Sequence, residues 1–329
     1  MKILRIGIVM DSPAQLKALK DSTIAFIEAA EQQGHLIDYL APHCLWAEQG
    51  CFFVHSQRIF THHAKKISSQ NTHSAHHDTS WCTLQPSIVK TSNDFDVILM
   101  RKDPPFSLDY IYITYLLELA EKEGVLVLNK PESLRNCNEK FFIMHFPELI
   151  TDTMVSSQPA DLIHFISQHP KVVLKPLDAM AGRGIFLVQE GAPNTNAILE
   201  MLTHYYTVPI MAQKFLPEIA EGDKRIILID GIPIPYSLAR IPAKNEIRAN
   251  LAVGGQGKAQ RLTQKDQEIC EKIGPHLKAR GLFWVGLDVI GDYITEINVT
   301  SPTGIRDIET QSDCKIAQAL IQAIEQKFA

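Results

Sequence analysis

The sequence predicts two kinds of architecture in one chain. An α/β part built on a mostly parallel sheet comes first, and an α+β part of hairpins and helices follows. Three observations carry this. Apolar runs alternate with helix-period stretches up to residue 125, a hairpin signal at Asp230-Gly231 splits a long apolar stretch, and helical patterning returns at 264–280 and at the C-terminus.

In order, ILRIGIVM reads as a buried first strand, Asp21–Gln33 as a helix, DVILMRK as a strand, Tyr110–Glu123 as a helix and VLVLN as another buried strand. That βαβ rhythm implies a sheet open at its carboxyl edge, where ligands of open α/β sheets collect. Asp11 and the segment Arg101-Lys102-Asp103-Pro104-Pro105 lie just past such strand ends. Between His55 and Trp81 the pattern dissolves into Ser, Asn, Thr and His. His62, His63, His73, His76 and His77 show no fixed ligand spacing there, so the stretch reads as a solvated loop rather than a metal site.

From about Leu126 the character changes. A helical piece at Ser133–Met144 precedes VVLKPLDAMAGRGIFLV, two strands around a small-residue loop. PIMAQKFLP and the hairpin RIILID-Gly231-IPIPYSLARIP follow. A polar loop, Pro242–Lys258, contains Gly254, Gly255 and Gly257. Beyond it come a helix at Gln264–Arg280, the strand pair FWVGLDVIGDYITEINV and a final helix.

Composition narrows the function classes. With 329 residues and 45% hydrophobic content, two or three folded units need no disulfide or metal staple. A net charge of -5 leaves no polyanion footprint, and no apolar run approaches the roughly 18 residues of a membrane span. Cys44, Cys51, Cys82, Cys137, Cys270 and Cys314 are scattered without CxxC spacing, which fits a reduced cytoplasmic setting.

The chemistry concentrates in the second half. Lys175 ends strand VVLK and is followed by DAMAGRG, where small residues let backbone amides approach an anion while the lysine adds a point charge. On TEINV, Glu296 and Asn298 are two residues apart and share a face; Asp288 sits on the preceding strand. Such oxygen ligands suit Mg²⁺. A strict two-residue turn at Gly291-Asp292 would pair Asp288 with Thr295 and point it the wrong way, so Asp288 joins only if the connection has odd length or carries a bulge. Lys140, Lys224, Arg225, Arg240, Arg248 and Arg306 fall in segments that would surround such a site.

Together, IGIVMD, DVILMRKDPPF, LRNCNEKFF, VVLKPLDAMAGRG, EGDKRI, PYSLARIP, RANLAVGG, GLDVIG and TEINVTSPTGIRDIE resemble the prokaryotic glutathione synthetases of the ATP-grasp superfamily. The resemblance spans the chain except roughly residues 43–93. It implies a substrate-binding pre-ATP-grasp domain (1–125) and a two-lobed ATP-grasp module, with a small lobe (126–212) and a large lobe carrying the metal site (213–329). It also implies ATP-dependent joining of γ-glutamylcysteine to glycine through an acyl-phosphate. The nearest alternative is another ATP-grasp carboxylate-amine ligase, of the glutamate or D-alanine–D-alanine type; RKDPPF and Asp11 argue against it.

By resemblance, Lys140 and Lys175 contact ATP phosphates under the loop Ala179–Gly184, which includes Met180, Ala181, Gly182 and Gly184. Gln213, Lys214, Phe215 and Leu216 line the adenine pocket, and Asp223 lies near the ribose and phosphates. Asp288, Glu296 and Asn298 hold two Mg²⁺ ions, for which Mn²⁺ can substitute. Arg225, Arg240, Arg248 and Arg306 serve as catalytic cations. Asp11, Arg101, Asp103 and Asn250 meet the peptide. Ile241–Gly257 forms a mobile lid, and a homotetramer is expected. Ala179 and Ala181 depart from the glycines this family favours, and the His-rich stretch is an insertion.

Overall fold

The computed structural model describes residues 2–329 except 63–80, 181, 244–245, 247 and 250–253. Its first sheet is built from β1 (Arg5–Val9), β2 (Leu36–Glu48), β3 (Cys51–Thr61), β4 (Cys82–Leu84), β5 (Ile88–Thr91), β6 (Val97–Met100) and β7 (Leu126–Leu128). The order is β4-β3-β2-β1-β6-β7, with β5 also on β3. β2, β1, β6 and β7 are mutually parallel, as the βαβ rhythm predicts. Ile6, Ile8 and Val9 are fully buried because helices cover this part of the sheet. One is α1 (Ser22–Gln32), whose N-terminus is capped by Asp21 accepting from the amides of Thr23 and Ile24 at 2.7 and 3.0 Å. The other crossover is α2 (Leu108–Lys122).

The long antiparallel pair β2–β3 has no counterpart in the sequence reading. It turns at Gln49 and Gly50, both with positive φ, and continues past His55 to Thr61. His62 bonds Thr83 at 2.8 Å, while His63, His73, His76 and His77 lie outside the described residues.

The segment expected as one helix at 133–144 is divided. α3 (Pro131–Asn136) and a 3₁₀ helix (Phe141–His145) flank a turn, where the Asn138 side chain caps the amides of Lys140 and Phe141. A second, antiparallel sheet of order β10-β9-β11-β8 follows: β8 (Thr153–Ser156), β9 (Val172–Pro176), β10 (Phe186–Val188) and β11 (Ile210–Lys214). α4 (Pro159–Ser167) and α5 (Thr195–Leu202) supply Leu162, Phe165, Ile166 and Leu199 to its own small core.

The third sheet is antiparallel, of order β14-β13-β12-β15-β16: β12 (Asp223–Ile229), β13 (Ile232–Ile241), β14 (Gln256–Arg261), β15 (Trp284–Ile290) and β16 (Tyr293–Asn298). Positive φ at Asp230 and Gly231 closes the predicted hairpin. β14 begins at Gln256, so the end of the segment expected as a lid is strand. α6 (Gln264–Ala279) packs Ile269, Ile273 and Leu277 inward. α7 (Ile305–Glu309) and α8 (Ile316–Glu325) return to the first sheet, where Leu320 and Ile324 join Ile24 and Ile27 in one core. The sheets give way to one another after Leu128 and Lys214, two or three residues beyond the expected boundaries at 125 and 212. Among the described residues, no helix is long and apolar enough to cross a membrane.

Asn129 locks the first sheet to the third. Its buried amide donates to the carbonyls of Trp284 and Val299 (3.0 and 2.7 Å) and accepts from the amides of Phe283 and Trp284 (2.7 and 2.8 Å). All its polar capacity is used across the seam.

Candidate functional site

β15 and β16 fix the centre of the site. Asp288 stands opposite Glu296, but Val289 stands opposite Ile294, so Thr295 is the extra residue of a β-bulge. The condition set by the sequence is met: Asp288, Glu296 and Asn298 face a common space. Thr295 is not idle, because its freed carbonyl accepts from Lys175 Nζ at 3.0 Å.

Two cavities meet here, each of about 900 Å³ including its open mouth. The first lies between the second and third sheets. Lys175, Met180, Gly182, Asp223 and the run Gln213–Leu216 line it. The second lies between the third sheet and the 103–104 loop of the first, lined by Asp103, Glu139, Arg225, Arg240 and Asn298 among others. Lys140, Ala179, Met180, Asp288 and Glu296 belong to both.

The charges at this junction are buried and interlocked. Lys140 Nζ donates to the carbonyl of Ala179 and lies 3.7 Å from Glu296 Oε1; Lys175 Nζ is 4.0 Å from the same oxygen. Burial lowers the Lys175 ammonium to about 8, with Glu296 opposing the shift and Lys140 adding to it. Asp288 takes a bidentate pair from Arg225 at 2.5 and 3.0 Å, and Arg240 Nη2 lies 2.9 Å from its Oδ2. Burial would raise the Asp288 carboxyl, yet Arg225 and Arg240 hold it well below the usual carboxylate range. Asp223 fares differently. Burial pushes it up to about 7, with Asp288 repelling its charge and Arg240 only partly compensating. Its Oδ2 pairs with Arg240, while its buried Oδ1 has no hydrogen-bond partner among the described residues.

The oxygen donors suit a hard divalent cation. Asp288, Glu296 and the Asn298 amide border the space where the cavities join, and the Asn298 nitrogen is turned away to the Gly286 carbonyl at 3.2 Å. Among the described residues no cluster of three His, Cys, Asp or Glu side chains could hold a metal by itself. Any ion here therefore draws on the amide oxygen, water and a ligand's own oxygens.

Several expected residues stand elsewhere. Arg306 turns away to α1, with Nη2 2.9 Å from Glu28 and Nε on the Asp21 carbonyl at 3.3 Å. It fastens α7 to the first sheet. Arg101 is buried flat against Trp284, its guanidinium carbon 3.7 Å from the ring centroid, and donates to Pro302 O and Thr23 Oγ1 at 3.0 and 3.1 Å. It clamps the seam and does not line the second cavity; burial lowers it to about 10. Asp11 accepts from Lys102 Nζ and the Asp103 amide, shaping the loop that presents Asp103. Arg248, expected as a catalytic cation, borders the first cavity and not the second, held by Glu246 and donating to Gly182 O at 3.4 Å. Gly184 lies behind the loop against Pro176, with φ +69. Lys224 is engaged by Asp266 and the Gly291 carbonyl. Ala181 and Asn250 lie outside the described residues.

Glu139 escaped the sequence reading. Its Oε1 accepts from the amides of Val299 and Thr300 (2.9 and 3.0 Å) and from Thr300 Oγ1 (2.8 Å). Its carbonyl accepts from Ile297 N at 2.8 Å. Adjacency to Lys140 was the available signal.

Two family profiles match the chain: "Prokaryotic glutathione synthetase, N-terminal domain" over residues 4–135, and "Prokaryotic glutathione synthetase, ATP-grasp domain" over 139–313. The chain is 46% identical over 326 residues to a glutathione synthetase of Coxiella burnetii, covering 99% of this chain and 98% of that one. It is 47% identical to one of Pseudomonas aeruginosa over 99% of each. Among solved structures, it resembles the ATP-grasp ligase PsnB complexed with minimal precursor (TM-score 0.64, 16% identity, 100% of each chain). It also resembles the D-cycloserine synthetase DcsG (TM-score 0.63, 10% identity, 98% of this chain and 100% of that one). At such identities these structures speak for the fold alone.

Proposed function

The chain belongs to the prokaryotic glutathione synthetase family and is an ATP-dependent ligase joining γ-glutamylcysteine to glycine, and we propose that its two abutting cavities divide that reaction between them. The first cavity takes ATP and the second takes the peptide. The observation that carries this reading is the wall they share. Lys140, Asp288 and Glu296 border both, so a γ-phosphate entering from one side meets a carboxylate entering from the other.

In the nucleotide cavity, backbone groups of Gln213–Leu216 read the purine edge, and Asp223, whose Oδ1 is engaged by no described residue, faces the ribose hydroxyls. Lys140 and Lys175 bind the phosphates beneath the 179–184 loop, with Arg248 above. Asp288, Glu296 and Asn298 would hold two Mg²⁺ ions, for which Mn²⁺ could substitute, and charge neutralisation at the phosphate oxygens is the chemistry such ions would supply. In the second cavity, Arg225 and Arg240 face the reacting carboxyl, and Asp103 takes the glutamyl ammonium.

The peptide's cysteinyl carboxylate attacks the γ-phosphorus. The bond from phosphorus to the bridging oxygen breaks and its electron pair leaves on ADP, producing an acyl-phosphate. Glycine's amine nitrogen then attacks the acyl carbon and the carbon–oxygen bond to phosphate breaks. Of the two protons the ammonium loses, one ends on phosphate and one is released. No cysteine thiol of the chain takes part. All six are free, which supports a reducing cytoplasmic setting. A homotetramer is the proposed assembly.

The test is ADP release by the purified chain with Mg²⁺-ATP and γ-glutamylcysteine, with and without glycine, and the product identified by mass. Glycine-dependent glutathione is the expected result. Turnover only with a different amine would remove the substrate assignment and leave the ATP chemistry.

A further inference from the structure

Beside the second cavity, behind Lys140, lies a side crevice of about 350 Å³ including its open mouth. Phe106, Leu134, Cys137 and Leu177 give it largely apolar walls, and the Ala179–Met180 stretch bounds it on the phosphate side. Glu139, Lys140 and Thr300 border both the crevice and the main cavity, so the crevice opens at the junction where the acyl-phosphate would form.

The charges of the second cavity sort its carboxylates into two kinds. Asp288 is held by two arginines and Glu296 lies beside two lysines. Asp103 and Glu139 form no ion pair with any described residue. Asp103 meets Ser301, and Glu139 has one oxygen committed to Val299 and Thr300. Both are half-buried, and their nearest cations, Arg101 and Lys140, act on them without forming an ion pair, so a ligand's own cation would stabilise them. The reaction brings two ammonium groups, one on the glutamyl end of the peptide and one on glycine. Asp103 sits on the first-sheet loop, away from the nucleotide. Glu139 sits at the junction, tied by its carbonyl to Ile297 between Glu296 and Asn298.

We propose that this crevice is the subsite for the small amino-acid co-substrate, with Glu139 as the carboxylate that anchors its ammonium beside the acyl carbon. The assignment rests on the ligase reading above and extends it. Phe106, Leu134, Cys137 and Leu177 offer a longer polar side chain no partner, which would favour glycine or a small apolar relative. Burial raises the Glu139 carboxyl, with the Thr300 hydrogen bonds and Lys140 opposing the shift.

The experiment uses the full chain with E139Q, because the amide keeps an oxygen for Val299 and Thr300 while losing the charge. Two reactions are measured side by side: glycine-dependent glutathione formation, and hydroxamate formation from ATP and γ-glutamylcysteine with hydroxylamine, a neutral nucleophile. Losing a charge-assisted contact should raise the glycine KM at least about tenfold. Hydroxamate formation and the ATP KM should stay within about threefold, a spread too small to signal a lost charged contact. An unchanged glycine KM, or a parallel fall of both reactions, would overturn the proposal, the latter making Glu139 a brace for β16. If E139Q shows no thermal transition, L177W decides the matter. Filling the crevice should raise the glycine KM and spare hydroxamate formation, and an unaffected glycine KM would overturn the assignment. Wild type forming neither product would sink the ligase reading instead.

Discussion

Arg225 and Asp288 stand directly opposite one another on β12 and β15, joined by two parallel hydrogen bonds of 2.5 and 3.0 Å. Gly286, two residues along, makes this possible: a Cβ there would lie 2.8 Å from Arg225 Cδ, so only glycine lets the arginine lie along the strand. Arg240 closes on the same carboxylate from β13, placing two guanidinium groups around one buried acid. Asp288→Asn would leave both cations short of their counter-charge. We expect a stability loss of about 3–5 kcal/mol in urea unfolding. Turnover should fall at least ~10²-fold. A variant as stable as wild type would show that Asp223 alone suffices for both arginines.

Lys175 is nearly enclosed, touching the bulge carbonyl of Thr295 with Glu296 and Lys140 around it. Its cost is an ammonium removed from water, which an entering phosphate would offset. Lys175→Ala should cut turnover at least ~10²-fold and raise the ATP KM, with folding stability held or improved because a buried charge is removed. Glu296→Ala should cost a similar factor. Near-normal turnover in either purified variant would remove that residue from the site.

How far this was legible from the sequence depends on what each residue's role requires. Glu296 and Asn298 share a face because of strand periodicity alone, and the bulge condition for Asp288 follows from counting across Gly291-Asp292. Asp230-Gly231 announces its own turn geometry. The β2–β3 hairpin was hidden because its register shifts between Leu40 and Leu45, around Pro42 and His43, and its Gln49-Gly50 turn is a weak signal. β14 is a polar edge strand, QGKAQR, with no apolar alternation to reveal it. Residue type could not say which carboxylate an arginine would meet. Arg306 found Glu28 and Arg101 found Trp284, although both lie in segments beside the site.

Asp96, just before β6, accepts from the Arg5 amide and Nε at 2.8 and 3.1 Å and from Lys2 at 2.9 Å. Burial would raise it, but these bonds hold it well below the usual carboxylate range. A depressed folded pKa gives stability that is present above the unfolded value near ~3.9 and lost as pH falls toward the folded one. Asp96→Asn should therefore cost about 1–2 kcal/mol at neutral pH. The gap from wild type should narrow as urea midpoints are compared from about pH 6 to about pH 3, where the wild-type advantage titrates away. A gap constant across that range would mean that the charge contributes nothing.

Gly274, in the middle of α6, abuts the Asp230-Gly231 turn so closely that a Cβ would lie 2.2 Å from the Gly231 carbonyl oxygen and 3.2 Å from its carbon. Two effects oppose each other in Gly274→Ala. Alanine favours a helix interior by about 1 kcal/mol. The added methyl must push α6 off the hairpin, and the obstacle is backbone, which cannot rotate aside; overpacking of this kind costs about 1–3 kcal/mol. Ile269, Ile273 and Leu277 would move with the helix, so the larger cost should win. We expect a net loss of up to about 2 kcal/mol in urea unfolding, the balance of those two terms. Asp223 and Arg225 lie at the other end of β12, about 20 Å along the strand, so turnover per folded molecule should be unchanged. A variant at least as stable as wild type would show that the hairpin yields freely; a fall in kcat at unchanged stability would mean that β12 transmits the displacement to the site.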